Sequence, residues 1–172
     1  MLTTIVHLLF AAAVGITRPA AAPPLGEVLF TFDSSELSSD ATARLDRVVS
    51  YANAHPDARI VLDAHCDPIG TQAYNVGLAI RRAEAVRGTL TARGVDADQI
   101  VLAIYGEAGA RRTSYAADRR VTAWPTRAPL ARVIRSTFAG DGTAVTWERP
   151  RTLAEIASNP VPVALRYSLG MR

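Results

Sequence analysis

Between Arg59 and Gly94 the hydrophobic period of this chain switches from that of a strand to that of a helix, and the switch restricts the fold more than any other feature of the sequence. In Arg59 to His65, Ile60, Leu62 and Ala64 alternate with Val61, Asp63 and His65, the pattern of a strand with two faces. Asp67-Pro68-Ile69-Gly70 breaks that strand. Thr71 is suited to cap a long helix with Ala73, Leu78, Ala79, Ala83, Val86 and Leu90 turned inward, and Arg93-Gly94 ends it with glycine in the left-handed cap position. Helices that separate strands imply crossovers, so this helix is expected to cover a sheet.

The neighbouring segments extend the pattern. Val28-Leu29-Phe30-Thr31-Phe32 is a β-branched and aromatic run ending at Asp33-Ser34-Ser35, a strand feeding a loop. Ser38 or Ser39 caps a following helix whose apolar positions Leu37, Ala41, Leu45, Val48, Val49 and Ala52 recur at helical spacing until His55-Pro56. A third strand, Ile100 to Tyr105, ends in Gly106-Glu107, and a fourth runs from Arg119 to Trp124 after an irregular segment rich in Ala and Arg. The order βαβαββ over residues 23–125 predicts an α/β chain of the α+β two-layer sandwich type, with helices packed on one face of a mixed sheet. Pro125 to Pro129 closes this unit. Beyond it, Leu130 to Phe138 and Thr143 to Trp147 flank Gly140-Asp141-Gly142, which predicts a β-hairpin, with a short helix expected over Arg151 to Ala157 and an extended piece over Val161 to Tyr167. Residues 126–172 thus read as a small C-terminal hairpin and helix extension. Its Leu130, Val133, Phe138, Val145 and Trp147 are too apolar for a disordered tail, so they pack back on the domain, extend the sheet or dock a partner.

A length of 172 residues supports one main core. All 19 basic residues are Arg, yet the net charge is only +3. The pairs Arg81-Arg82, Arg111-Arg112 and Arg119-Arg120 have acidic residues between them and no interleaved aromatic platform, so nucleic acid is not an expected partner. Residues 1–22 read as a signal peptide: an apolar run from Ile5 to Ile16, then Thr17-Arg18-Pro19 and the small residues Ala20 to Ala22. The run is short of the roughly 20 apolar residues that span a bilayer, so the mature chain is expected to carry no transmembrane span. The lack of a basic residue before the run, and Pro23-Pro24 after it, leave an uncleaved anchor as the alternative.

Cys66 is the sole cysteine, which excludes an intramolecular disulfide. Its neighbour His65 points to the opposite face of an extended backbone, so the two do not form a nucleophile and base, and no catalytic residues are expected. After the signal, only His55, His65 and one Cys remain as soft ligands without metal-site spacing, so neither metal nor cofactor is expected. Cys66 reads as a small packed hydrophobe and His65 as a hydrogen-bonded strand residue.

The chemistry concentrates around the second strand and helix. Asp67 follows the carboxyl end of a strand, where open sheets place ligands. Asn75, Leu78 and Arg82 share one helical face, and the Asp67 loop enters the same helix. Asp67 and Arg82 can therefore face each other across a cleft, both open to solvent, where the carboxylate accepts from an ammonium and the guanidinium fork holds a carboxylate. Loop amides around Asp33 and Ser34 would add donors for the anion. A structural salt bridge between Asp67 and Arg82 is the competing reading, and spacing alone favours it.

The wording of these segments resembles the OmpA-like peptidoglycan-binding domain. The match runs from about Val28 to Trp124 through Phe32-Asp33, His65-Cys66-Asp67, Gly70-Thr71, Tyr74-Asn75, Leu78, Arg81-Arg82-Ala83, Val86, Arg93-Gly94-Val95, Tyr105-Gly106-Glu107 and Arg119-Arg120-Val121. It is most similar to the peptidoglycan-associated lipoprotein subgroup. The resemblance implies non-catalytic binding of a peptidoglycan stem peptide, with Asp67 on the free ammonium of diaminopimelate and Arg82 on its carboxylate. Phe32, Asp33, Thr71 and Leu78 would line the pocket and Asn75 support it. It also implies a periplasmic protein associated with the cell wall or outer membrane, anchoring an envelope component. The alternative is an interaction module that keeps the fold and binds envelope proteins, with residues 126–172 as the contact.

The sequence departs from the family pattern at Ala64, at Pro68-Ile69, at Ala79 and at Asp118. None of these removes Asp67 or Arg82. Pro68 and Ile69 cost the loop a backbone donor and polarity, which points to weaker affinity or a shifted stem-peptide preference.

Overall fold

The computed structural model describes residues 22–110 and 114–146. Nearly all of the signal segment, the Arg111-Arg112 pair, Trp147 and the two elements expected beyond Arg151 lie outside the described residues. Five strands form one sheet: β1 (Gly26–Leu29), β2 (Arg59–His65), β3 (Ile100–Gly106), β4 (Arg120–Thr126) and β5 (Thr143–Thr146), in the order β1-β4-β2-β3-β5. The helices are α1 (Ser39–Ala43), α2 (Asp46–Ala54), α3 (Gln72–Ala92), α4 (Tyr115–Asp118) and α5 (Leu130–Ala139). Strands β2 and β3 run parallel, as the α3 crossover requires, while β4 is inserted antiparallel between β1 and β2. The sheet is therefore mixed.

The periodicities account for the packing. Ile60, Leu62 and Ala64 of β2 and Ile100, Leu102 and Ile104 of β3 form one core with Leu45, Val48 and Ala52 of α2 and its entry, and with Leu78, Ala83, Val86 and Leu90 of α3. Ser38 caps α1 by accepting from the Ala41 amide, and Thr71 caps α3 by accepting from that of Tyr74. The first predicted helix is divided at Arg44-Leu45 into α1 and α2. Strand β1 also lies earlier than its hydrophobic run suggests: Phe30 follows it, and Phe32 is exposed in the next loop.

Past Pro129 the hairpin expectation is overturned. Leu130–Ala139 is a helix, and only Thr143–Thr146 is a strand; it pairs with β3 rather than with its predecessor. The physical reason is that Val133 and Leu130 sit at helical spacing and have an apolar surface to cover. Val61, Val101 and Ala103 on the second face of the sheet, flanked by Tyr105 and Trp124, form a smaller core with them. Helices thus lie on both faces: α1 to α3 on one and α5 on the other. Of the three fates open to this segment, residues 130–146 pack back and lengthen the sheet.

Candidate functional site

The loop after β2, the loop after β1, helix α3 and Arg119 just before β4 meet around a cavity of about 150 Å³. Its lining brings together Phe32, Asp33, Asp67, Asn75, Leu78 and Arg82, and adds Ile69, Gly70, Tyr74 and Arg119. Thr71 sits beside it as the α3 cap and is not part of the lining.

Strand pairing and one close approach shape the site. The backbone N–H of Cys66 donates to the carbonyl of Gly106 at 2.6 Å, which joins the ends of β2 and β3. Gly106 has φ +58, and a Cβ there would come within 3.2 Å of the Val76 side chain, so its lack of a side chain lets β3 end against α3. On that helix Asn75 is buried and donates from Nδ2 to Glu107 Oε2 at 2.6 Å, tying α3 to the loop after β3.

Asp67 is 4 % exposed. Its Oδ1 accepts from the Ile69 amide at 3.2 Å, and its Oδ2 accepts from Arg119 Nη1 at 3.1 Å. No Asp67–Arg82 ion pair forms among the described residues, so the salt-bridge reading of those two does not hold. The partner is Arg119, which β4 delivers because Arg120 stands opposite His65 in the β2–β4 register.

Both groups depart from the sequence expectation of an Asp67 and an Arg82 open to solvent: Asp67 is buried, and Arg82 is 0 % exposed. Its Nε donates to the Ser34 carbonyl at 2.9 Å, Nη1 to the His65 carbonyl at 3.3 Å and to Cys66 Sγ at 3.4 Å, and Nη2 to the Thr31 carbonyl at 3.2 Å. The guanidinium also lies over the Phe30 ring, 5.1 Å from its centroid. Burial pushes its pKa below the usual arginine value, with the Cys66 and Asp67 charges opposing and Arg119 adding to the effect. The loop after β1 therefore turns carbonyls, not amides, toward this cation; the Ser34 amide itself points to the Thr31 carbonyl at 3.4 Å. Of the donors expected there, the Ser34 amide is thus spent within the loop.

At the rim, Asp33 adopts a left-handed backbone with φ 52 and accepts a short hydrogen bond from the Tyr74 hydroxyl, so the loop after β1 is latched to the first turn of α3. That bond is the main cause that raises the Tyr74 pKa, with burial second. Phe32, Ile69 and Tyr74 are exposed and give the mouth an apolar edge.

His65 and Cys66 behave as separate structural groups. The His65 ring makes a 3.1 Å hydrogen bond through Nδ1 with the Ala108 carbonyl and stacks on Tyr105, and the buried Cys66 thiol donates to the Asn75 carbonyl at 3.2 Å. Sequence reasoning missed Arg119 and Tyr74 as site residues. Both stand in the quoted resemblance, but only the order of the strands places Arg119 beside Asp67.

Comparison with known proteins bears on the same region. The model of the OmpA family matches residues 29–122. The peptidoglycan-associated lipoprotein of Haemophilus influenzae is 39% identical over 80 residues, 46% of this chain and 52% of that protein. Its namesake in Legionella pneumophila is 36% identical over 98 residues, 54% of this chain and 56% of that one. The chain spans about half the length of these curated relatives. The crystal structure of the peptidoglycan-associated lipoprotein from Burkholderia pseudomallei is 31% identical, covers 59% of this chain and 90% of its own, and superposes with a TM-score of 0.52. The C-terminal domain of Helicobacter pylori MotB, 19% identical with a TM-score of 0.53 over 70% of this chain and 97% of its own, shares the fold.

Proposed function

Because this chain belongs to the OmpA family, we propose that it binds peptidoglycan without catalysis and anchors an envelope component to the cell wall, taking the diaminopimelate of a stem peptide into the cavity beside Asp67. One observation carries the reading: a buried carboxylate and two guanidiniums line a single small cavity. Such a set matches a zwitterionic amino-acid head, whose ammonium goes to Asp67 and whose carboxylate goes to the cationic wall. Each Asp67 oxygen holds one hydrogen bond and keeps a lone pair for the ammonium. Phe32, Asp33 and Leu78 border the ligand, while Thr71 and Asn75 hold the framework around it.

A periplasmic position at the cell wall or outer membrane goes with this role. It draws support from the names of the relatives, which include an outer membrane protein A from Shigella flexneri, 35% identical over 105 residues and 30% of its length. No helix among the described residues is long and apolar enough to cross a membrane.

The test is sedimentation with purified sacculi. Asp67→Ala is expected to stay folded and lose most of the retention shown by the parent, since truncating one partner of a desolvated charge pair costs about 2–5 kcal/mol, which is about 30-fold or more in affinity. Equal retention of the two proteins would overturn the reading. Docking of an envelope protein through residues 126–172 has less support, because Leu130, Val133 and Val145 are engaged with the sheet.

A further inference from the structure

A second cavity, of about 430 Å³, lies at the opposite end of the sheet from Asp67, between α2, the Ala22-Pro23-Pro24 segment that leads into β1, and Pro125 of β4. In the β2–β4 register Pro125 stands opposite Ile60 and Arg120 opposite His65, so the seven residues of β2, about 20 Å, separate the two cavities. They share no lining residue. The volume falls within the roughly 300–1,000 Å³ of small-molecule sites.

The walls of this groove are fixed by the fold. The Leu25 amide donates to the Ala123 carbonyl at 2.8 Å, which pins the segment before β1 to β4. On α2 the Tyr51 and His55 rings stack with centroids 4.2 Å apart, and His55 Nδ1 donates to the Tyr51 carbonyl at 2.9 Å. Gln99 holds the end of that helix from below, its Nε2 donating to the carbonyls of Ala52, His55 and Ala58. A ligand would therefore order little on binding.

The polar content of the walls is small and of one sign. Pro23, Leu25, Ala54 and Pro125 offer carbon surface, and no carboxylate or amide side chain lines the groove. The Ser50 hydroxyl is spent on the Asp46 carbonyl at 2.9 Å. Two lining groups keep their donors: the Arg47 guanidinium and the Tyr51 hydroxyl make no hydrogen bond among the described residues. The acids at the two ends of α2 are already matched, Asp46 with Arg93 and Asp57 with Arg127, so Arg47 is a cation without a counter-charge.

A sugar or an extended peptide laid on such walls would leave its hydroxyls, amides or carbonyls without partners. A hydrocarbon chain has none to lose, and one anionic group would answer the guanidinium fork. We propose that this groove binds a single-chain amphiphile with an anionic head, its chain between α2 and the segment before β1 and its carboxylate or phosphate on Arg47. Because the groove is remote from the cavity beside Asp67, both can be filled at once.

The experiment is calorimetric titration of the full chain with dodecanoate, dodecyl phosphate and dodecyltrimethylammonium, each below its micelle concentration, with thermal melting of every variant. The parent is expected to bind the two anions and to bind the cation at least several-fold more weakly. The stronger of the two anions identifies the source, a free fatty acid or a phosphate-headed lipid product. Arg47→Gln is expected to weaken both anions by about five-fold, the upper worth of a solvent-exposed charge pair. Ala54→Trp, which fills the groove, is expected to abolish binding of all three. Arg47 and Ala54 are exposed, so both variants should melt as the parent does. A cation bound as tightly as the anions, binding that Ala54→Trp leaves at parental strength, or a parent that takes up neither anion would each overturn the proposal.

Discussion

At the scale of single residues, the environment of a group decides its chemistry more than its type does. Cys66 lies beside a cation, an arrangement that elsewhere activates a thiol, yet burial is the larger influence and raises its pKa above the usual 9.0, with the Arg82 charge opposing. The thiol is therefore expected to stay protonated and unreactive in the folded protein. Labelling with Ellman's reagent at neutral pH should proceed only in denaturant; fast stoichiometric labelling of the native chain would contradict the burial. The same shift has a stability consequence. A group whose pKa is raised on folding stabilises the native state fully below its unfolded value, and that contribution is lost as pH rises through the folded value. Cys66 and Tyr74 both shift upward, so chemical denaturation should show stability falling above pH about 9. Cys66→Ala should remove part of that fall.

At the scale of elements, α5 is the piece whose role the fold redefines. With Leu130 it covers Val61, Val101 and Ala103, apolar residues on a sheet face that α1 to α3 do not reach. Val133 is buried there, and Val133→Ala is expected to cost roughly 1.5–3 kcal/mol, the worth of burying a branched side chain. Urea unfolding measures it, and an unchanged midpoint would mean that α5 does not pack on this face. The turn from α5 to β5 is equally constrained, because a Cβ on Gly142 would lie 2.7 Å from the Tyr105 ring. Tyr105 stacks in turn on His65, next to the loop that carries Asp67. The segment beyond Pro125 is thus part of the scaffold behind the site, although the sequence resemblance ends at about Trp124.

At the scale of the whole molecule, binding and folding are linked. A ligand that contacts the loops after β1 and β2, the start of α3 and the start of β4 touches elements far apart in the chain and binds only when all of them are assembled. If a diaminopimelate tripeptide is such a ligand, a concentration of 100 times its dissociation constant should add about 2.7 kcal/mol to unfolding. The melting temperature of the parent should then rise, and that of Asp67→Ala should rise by a third of that or less. A shift of equal size in both proteins would place the ligand elsewhere.

The sequence by itself determined what depends on neighbours along the chain. The alternation of Arg59 to His65, the Thr71 cap, the Gly94 stop and the shared face of Asn75, Leu78 and Arg82 are all local, so strands, helix and half of the candidate site are legible in the sequence. Which partner Asp67 takes was not legible, because Arg119 is distant in sequence and reaches it only once β4 slots antiparallel between β1 and β2. Nor could spacing reveal that Arg82 is sealed, since its burial comes from the β1 loop folding its carbonyls over the guanidinium. The helix at Leu130–Ala139 departs from the predicted hairpin for a related reason: a short apolar run flanked by glycine fits either structure, and the uncovered apolar face of the finished sheet selects the helix.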